Sequence, residues 1–196
     1  MGPVGVQRGA TVPFSRRKDK RLHLTPDEAN RLIAAAGKRG RYPERDRVLV
    51  RLVYRHGLRA SEACDLRWDH LNLDEGTITV RRRKMGKDST RTMDRDELRD
   101  LRKLRQQVSG LYVFETERGD PLSVDALQYI VRAAGKLAGL DVEAHPHMLR
   151  HAAGYMLANE GTDTRLIQAF LGHRDIRHTA HYTALAPKRL AGVRVR

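Results

Sequence analysis

One stretch of the chain breaks the period of everything around it. From Gly76 to Met93, in GTITVRRRKMGKDSTRTM, Thr77, Thr79 and several charged residues alternate with Ile78 and Val80 around a Met85-Gly86 turn signal. A repeat of two puts successive side chains on opposite faces of a sheet, so the segment reads as a β-hairpin. On both sides apolar residues recur at helical spacing. The chain is thereby confined to a mainly α fold that must lodge one small antiparallel β-hairpin or sheet after its first third.

The flanking helices carry their own boundary signals. TPDEANRLIAAAGKRG opens with Thr25 as N-cap, Pro26 at the first helical position and Glu28 closing a capping box. YPERDRVLVRLVYRHG sets Val48, Leu49, Leu52 and Val53 on one stripe and stops at His56-Gly57. RASEACDLRWDHL predicts a short helix directly after it. Two further helices are expected at about 94–108, through Leu98, Leu101 and Leu104, and about 124–138, through Leu127, Val131 and Ala134, capped by Asp94 and Ser123. The last third reads as three short helices, about 147–160, 163–171 and 175–184, punctuated by Gly161 and Gly172, with Thr162 or Asp163 as a cap.

Charge narrows the partner. The 196 residues include 38 Lys and Arg against 24 Asp and Glu, a net charge of +14. An excess of that size on one domain points to a polyanion, nucleic acid ahead of membrane, with a merely soluble basic protein as the alternative. No apolar run approaches a membrane span, and the N-terminal segment lacks a signal-peptide core. The single Cys64 fits a small core residue in a reducing cytoplasm. Residues 1–20 read as a flexible basic tail, ending in RRKDKR, either solvated or laid along a phosphate backbone; residues 21–196 form the domain proper.

Chemistry concentrates in HPHMLRHAAGYM and LGHRDIRHTAHYTAL. His147 and Arg150 stand three apart and share a helix face, with His151 four from His147. The histidine pair invites a metal, but HMLRH lacks the glutamate of a zinc-protease helix and sets an arginine beside the pair. An ordinary core or surface histidine is the other plain reading. A basic protein can use the same residue types on a phosphodiester. Arginine forks clamp phosphate oxygens, histidine moves or donates a proton, and a lysine among cations serves as acid. A tyrosine attacks once neighbouring positive charge favours its phenolate. Arg59, Lys84, His147, Arg150, His173 and Tyr182 follow in that order along the chain.

These elements resemble the tyrosine recombinases of the phage integrase family, and among them the short fimbrial phase-switch recombinases that invert a promoter-bearing DNA segment. The resemblance runs from about Leu22 to Leu185 and rests on GLRASEACDLRW, RRRKMGK and HPHMLRH…GTDTRLIQAFLGHRDIRHTAHYTAL. It implies the recombinase catalytic-domain fold. It also implies a catalytic set in which Arg59 and Arg150 grip the scissile phosphate and His147 and His173 complete the cage. In that set His147 is the partner in proton transfer with the tyrosine. Lys84 would protonate the 5′ oxygen, Tyr182 would become joined to the 3′ phosphate, and Glu62 would support the first arginine.

No metal or nucleotide cofactor is implied. The expected partners are double-stranded DNA, three further copies in a DNA-assembled homotetramer, and DNA-bending accessory proteins, with the protein cytoplasmic at the nucleoid. Many relatives close a clamp on DNA with a separate N-terminal domain, which residues 1–20 are too short to form. Alternation places Arg81, Arg82 and Arg83, which precede Lys84, on both hairpin faces, and with Lys87 after it they are expected DNA contacts, against a plain charged face. A DNA-binding regulator that has lost catalysis is the rival from another class; completeness of the six-residue set argues against it. A topoisomerase or telomere-resolving enzyme would share the chemistry.

Overall fold

The computed structural model describes residues 21–82 and 88–184. Arg83, Lys84, the Met85-Gly86 turn, Lys87, residues 1–20 and residues 185–196 lie outside the described residues. In chain order the elements are α1 (Pro26–Ala36), α2 (Pro43–Arg55), α3 (Ala60–Cys64), a 3-10 turn (Trp68–His70), β1 (Leu71–Asn72), β2 (Thr77–Val80), β3 (Ser89–Thr92), α4 (Arg95–Arg105), α5 (Val124–Leu137), α6 (Pro146–Asn159), α7 (Thr164–Leu171) and α8 (Arg177–Ala184).

Local chemistry sets the boundaries. Thr25 Oγ1 accepts from the Glu28 amide at 3.2 Å while Glu28 Oε2 accepts from the Thr25 amide at 2.9 Å, closing the capping box. Ser123 caps α5 through the Ala126 amide. At α7 the cap is Asp163, which accepts from the amides of Arg165 and Leu166. Burial follows the stripes: Ala29, Leu32, Ile33 and Ala36 of α1 and Val48, Leu49, Leu52 and Val53 of α2 all face inward. Each large aliphatic side chain so buried contributes about 1.5–3 kcal/mol.

Helix α2 is central, packing on α1, α3, α4 and α6, while α1 also meets α5. Its second stripe is ionic and clamps α4 onto it: Arg51 Nη1 lies 2.6 Å from Asp100 Oδ2, and Arg55 Nη1 2.7 Å from Asp96 Oδ1. A smaller core of Ala158, Ile167, Leu171 and Tyr182 joins α6, α7 and α8.

Among the described residues the sheet has three antiparallel strands in the order β1-β2-β3, with Thr77 opposite Thr92 and Val80 opposite Ser89. The sequence predicted two of them. RASEACDLRWDHL does not remain one helix, because the chain leaves α3 at Asp65, bridges Arg67 to Tyr112 and pairs Leu71–Asn72 with β2. Pairing satisfies backbone groups that an edge of β2 would leave open, and two residues are too few to show alternation.

Candidate active site

Loop ends and helix ends bring the site together. Arg59 is the residue before α3, and Glu62 at the third helical position folds back on it. Glu62 Oε2 accepts from the Arg59 amide at 2.8 Å and Oε1 from Arg59 Nη1 at 2.7 Å. The same Oε1 takes Arg82 Nη1 at 2.7 Å, and Arg150 Nη1 stands 3.9 Å from Oε2. Burial would raise the Glu62 pKa, but the Arg59 amide and the Arg82 and Arg59 guanidiniums outweigh it and hold the carboxyl below the usual range.

The carboxyl end of α7 gathers four arginines. The carbonyl of Phe170 accepts from Arg82 Nη2 at 2.8 Å and from Arg91, that of Leu171 from Arg150, and that of Gly172 from Arg59 Nη2 at 2.9 Å. The last carbonyls of a helix have no partner within it and carry the negative end of its dipole, so they are natural seats for guanidiniums. Gly172 permits this crowding: its φ of +64° ends the helix left-handed, and a Cβ there would lie 2.6 Å from Arg82 Cζ. Arg150 also donates to the Gly57 carbonyl at 2.6 Å. Burial, then repulsion from Arg59, pulls its pKa to about 10, which leaves it charged at neutral pH.

His173 follows Gly172, its Nδ1 2.9 Å from the buried Thr179 hydroxyl. Burial, then Arg150 and Arg59, pushes its pKa down to about 3, so it is a neutral imidazole at physiological pH. His147 is exposed at the start of α6 and borders, with Arg59, Ser61, Gln128 and His145, a cleft open to solvent. Burial and the nearby Arg150 lower its pKa as well.

Tyr182 is 1% exposed. Its ring lies flat over Gly154, where a Cβ would come within 2.9 Å of Cζ, and meets Tyr155 edge-on at 4.9 Å. The hydroxyl is hydrogen-bonded to His151 Nδ1 at 2.6 Å. From the sequence, cations were expected to favour the phenolate; here burial wins over the opposing charge of Arg150 and lifts the pKa to about 12. In this arrangement Tyr182 is a neutral phenol.

Of the six predicted catalytic residues, Arg59, His147, Arg150, His173 and Tyr182 converge, and Lys84 lies outside the described residues. Arg81 is exposed just after β2. Arg82 is not an outward DNA contact: its side chain is 3% exposed and is turned onto Glu62 and Phe170. The reason was in the alternation, since Arg82 shares parity with the inward Ile78 and Val80. His151 and Arg91 were missed. The i, i+4 spacing had marked His151, but only as a metal candidate; among the described residues no group of three or more His, Cys, Asp or Glu is placed to hold a metal ion. Arg91 sits opposite Ile78, reaches the His56 and Phe170 carbonyls, and stacks 3.9 Å from the Phe170 ring centroid.

The sequence matches the phage integrase family over residues 23–189. It is 42% identical over 181 residues to the type 1 fimbriae regulatory protein FimE of Escherichia coli K12, covering 89% of this chain and 91% of that one. Identity to FimB of the same strain is 41% over 180 residues, covering 89% and 90%. Among solved structures, the XerA recombinase superposes with a TM-score of 0.75 at 31% identity, over 87% of this chain and 63% of that chain. A lambda integrase tetramer bound to a Holliday junction shares the fold, with a TM-score of 0.62 at 23% identity over 78% and 47% of the two chains.

Proposed function

The chain belongs to the phage integrase family, and from that premise we propose a site-specific recombinase that cuts and rejoins duplex DNA through a 3′-phosphotyrosine at Tyr182. In this reading Arg59 and Arg150 hold the non-bridging oxygens of the scissile phosphate. His173 and His147 complete the cage, and Lys84 supplies the proton to the 5′ oxygen. Positive groups fixed in advance around the phosphate stabilise the charge that develops there, the main contribution in phosphoryl transfer. The observation that carries the reading is the gathering of Arg59, Arg150 and His173 at the end of α7, one helix away from Tyr182.

The protein would act on a promoter-bearing DNA segment and invert it between two orientations, a reading supported by its identity to the type 1 fimbriae regulatory proteins FimE and FimB. It would assemble on DNA as a homotetramer, as the lambda integrase does on a Holliday junction, with DNA-bending proteins assisting. Residues 21–196 would form the catalytic domain, with residues 1–20, Arg81, Arg83 and Lys87 contributing phosphate contacts, in the cytoplasm at the nucleoid. Among the described residues no helix is long and apolar enough to cross a membrane.

Covalent trapping tests the proposal. A binding site selected from a random duplex pool is rebuilt as a set of suicide duplexes nicked at successive positions. Wild type should form a protein–DNA adduct, unaffected by EDTA, that Tyr182→Phe cannot form while still binding. Failure of the wild type to form any adduct would leave the inactive DNA-binding regulator, and an adduct persisting in Tyr182→Phe would mean a different nucleophile.

A further inference from the structure

The hydroxyl of Tyr182 has a defined partner, and it is not the histidine that the family resemblance assigns to proton transfer. His151 Nδ1 lies 2.6 Å from that hydroxyl. His147 is exposed, and its ring stands edge-on to that of His151 at 4.3 Å between centroids. His151 and His147 are one helical turn apart on α6, and His151 faces α8, its ring 5.9 Å from that of His181. The base needed by a buried phenol must reach it, and His151 is the imidazole that does.

We propose that His151 is a catalytic residue, the group that takes the phenolic proton of Tyr182 as the tyrosine attacks DNA. The inference rests on the recombinase reading above. In cleavage the Oη–H bond breaks and its proton passes to Nδ1 while Oη bonds to phosphorus. The P–O bond to the 5′ oxygen breaks, its electron pair stays on that oxygen, and the acid of the proposed set protonates it. Rejoining reverses each transfer: the 5′ hydroxyl attacks phosphorus and its proton returns to the acid, while the Oη–P bond breaks with its electron pair left on Oη, which takes the proton back from the imidazolium.

The surroundings keep His151 in its accepting form. The groups facing His151 are His147 and Arg150 from α6, His181 and Tyr182 from α8, His173 from the turn before α8, and His23 from the segment before α1. Burial, then the charges of His147, His181, Arg150 and His23, lowers its pKa to about 4, so at neutral pH the ring is unprotonated and can accept through Nδ1 when its hydrogen is on Nε2. The phenol, for its part, needs a base. With a pKa of about 12, about one molecule in 10⁵ would be ionised at pH 7 without one.

The test is single-turnover adduct formation on the trapped suicide duplex from pH 5 to 10, comparing wild type, His151→Gln and His147→Gln, with Tyr182→Phe as blank. Loss of a general base costs about 10²–10⁴-fold. His151→Gln should lose that factor at pH 7, its rate should then climb about tenfold per pH unit to pH 10, and added imidazole should restore part of it. His147→Gln should keep the shape of the wild-type profile.

A parallel measurement does not depend on how well His151→Gln folds. A fluorotyrosine of lower phenol pKa, placed at position 182 in both proteins, should narrow the gap between wild type and His151→Gln. The proposal falls if His151→Gln keeps the wild-type pH profile, or if its loss is the same at every pH and neither imidazole nor fluorotyrosine relieves it. Either result, with a wild type that still forms adducts, overturns this inference and leaves the recombinase reading standing.

Discussion

Removing the Glu62 carboxylate should cost both the fold and the site. Its side chain is 5% exposed, and its Oε1 is shared by Arg59 and Arg82, each at 2.7 Å. The two partners differ in burial: the Arg59 side chain is 41% exposed and that of Arg82 3%. A half-exposed pair contributes at most about 1 kcal/mol. Removing one partner of a buried pair leaves an uncompensated charge and costs about 3–5 kcal/mol. Glu62→Ala is therefore expected to destabilise by about 3–5 kcal/mol, chiefly through the buried Arg82 with the buried Arg150 3.9 Å away adding to it, and to lower Tm by roughly 6–20 °C for a domain of this size. Urea unfolding at pH 7 followed by far-UV circular dichroism reads this directly. Repeating it in an Arg82→Met background isolates the pair, and the cost of Glu62→Ala should shrink there by about 2 kcal/mol or more. A loss below about 1.5 kcal/mol, or the same loss in both backgrounds, would refute the assignment of Glu62 as the buried counter-charge. The sign with pH is fixed as well. Because the folded-state pKa of Glu62 is depressed, its contribution is complete above the ordinary carboxylate range and disappears as pH falls through the lowered value.

The histidines make a separate prediction at higher pH. His151 and His173 have folded pKa values lowered to about 4 and about 3, so the unfolded chain binds protons there first. Stability should fall as pH drops below about 6.5, by at most about 1.4 kcal/mol per pH unit for each histidine; a flat urea midpoint between pH 7 and pH 5 would contradict their burial as neutral rings. Gly154→Ala places a methyl group 2.9 Å from Tyr182 Cζ. Overpacking of about 1–3 kcal/mol should exceed the helix-propensity gain of about 1 kcal/mol, and a variant more stable than wild type would show that the ring does not rest there. Arg81→Ala and Arg82→Ala should part company on DNA. Loss of one phosphate contact lowers the slope of log K against log salt by about 1 for Arg81→Ala, whereas Arg82→Ala should leave the slope unchanged and slow adduct formation; equal slopes for both variants would put Arg82 back on the DNA face.

Much of the fold was legible because its signals are local. Thr25 with Glu28, the Val48–Val53 stripe, Ser123 and Gly172 each act within a turn or two of helix, and each lies where the spacing predicted. The exceptions are elements whose reason lies elsewhere in the chain. β1 exists because β2 has an edge to pair, and nothing in Leu71–Asn72 announces it. The inward turn of Arg82 was written in its parity with Ile78 and Val80, yet three consecutive arginines invite an outward reading. Only the presence of Glu62, twenty positions earlier, makes an inward guanidinium tolerable.

The chain by itself determined a basic, mainly helical domain, its hairpin, and a set of arginines, histidines and one tyrosine in family order, since these are matters of composition, period and spacing. Tertiary structure alone decided the state of those groups. It brought Arg59, Arg82, Arg91 and Arg150 from four separate segments onto the exposed carbonyls at the end of one short helix. It made Tyr182 part of a small core, so that burial raises a pKa that neighbouring cations were expected to lower. It also set His151 on the hydroxyl and left His147 facing solvent. Sequence spacing records which groups are present, whereas desolvation and hydrogen bonding, which fix how each one ionises, depend on what the fold packs around them.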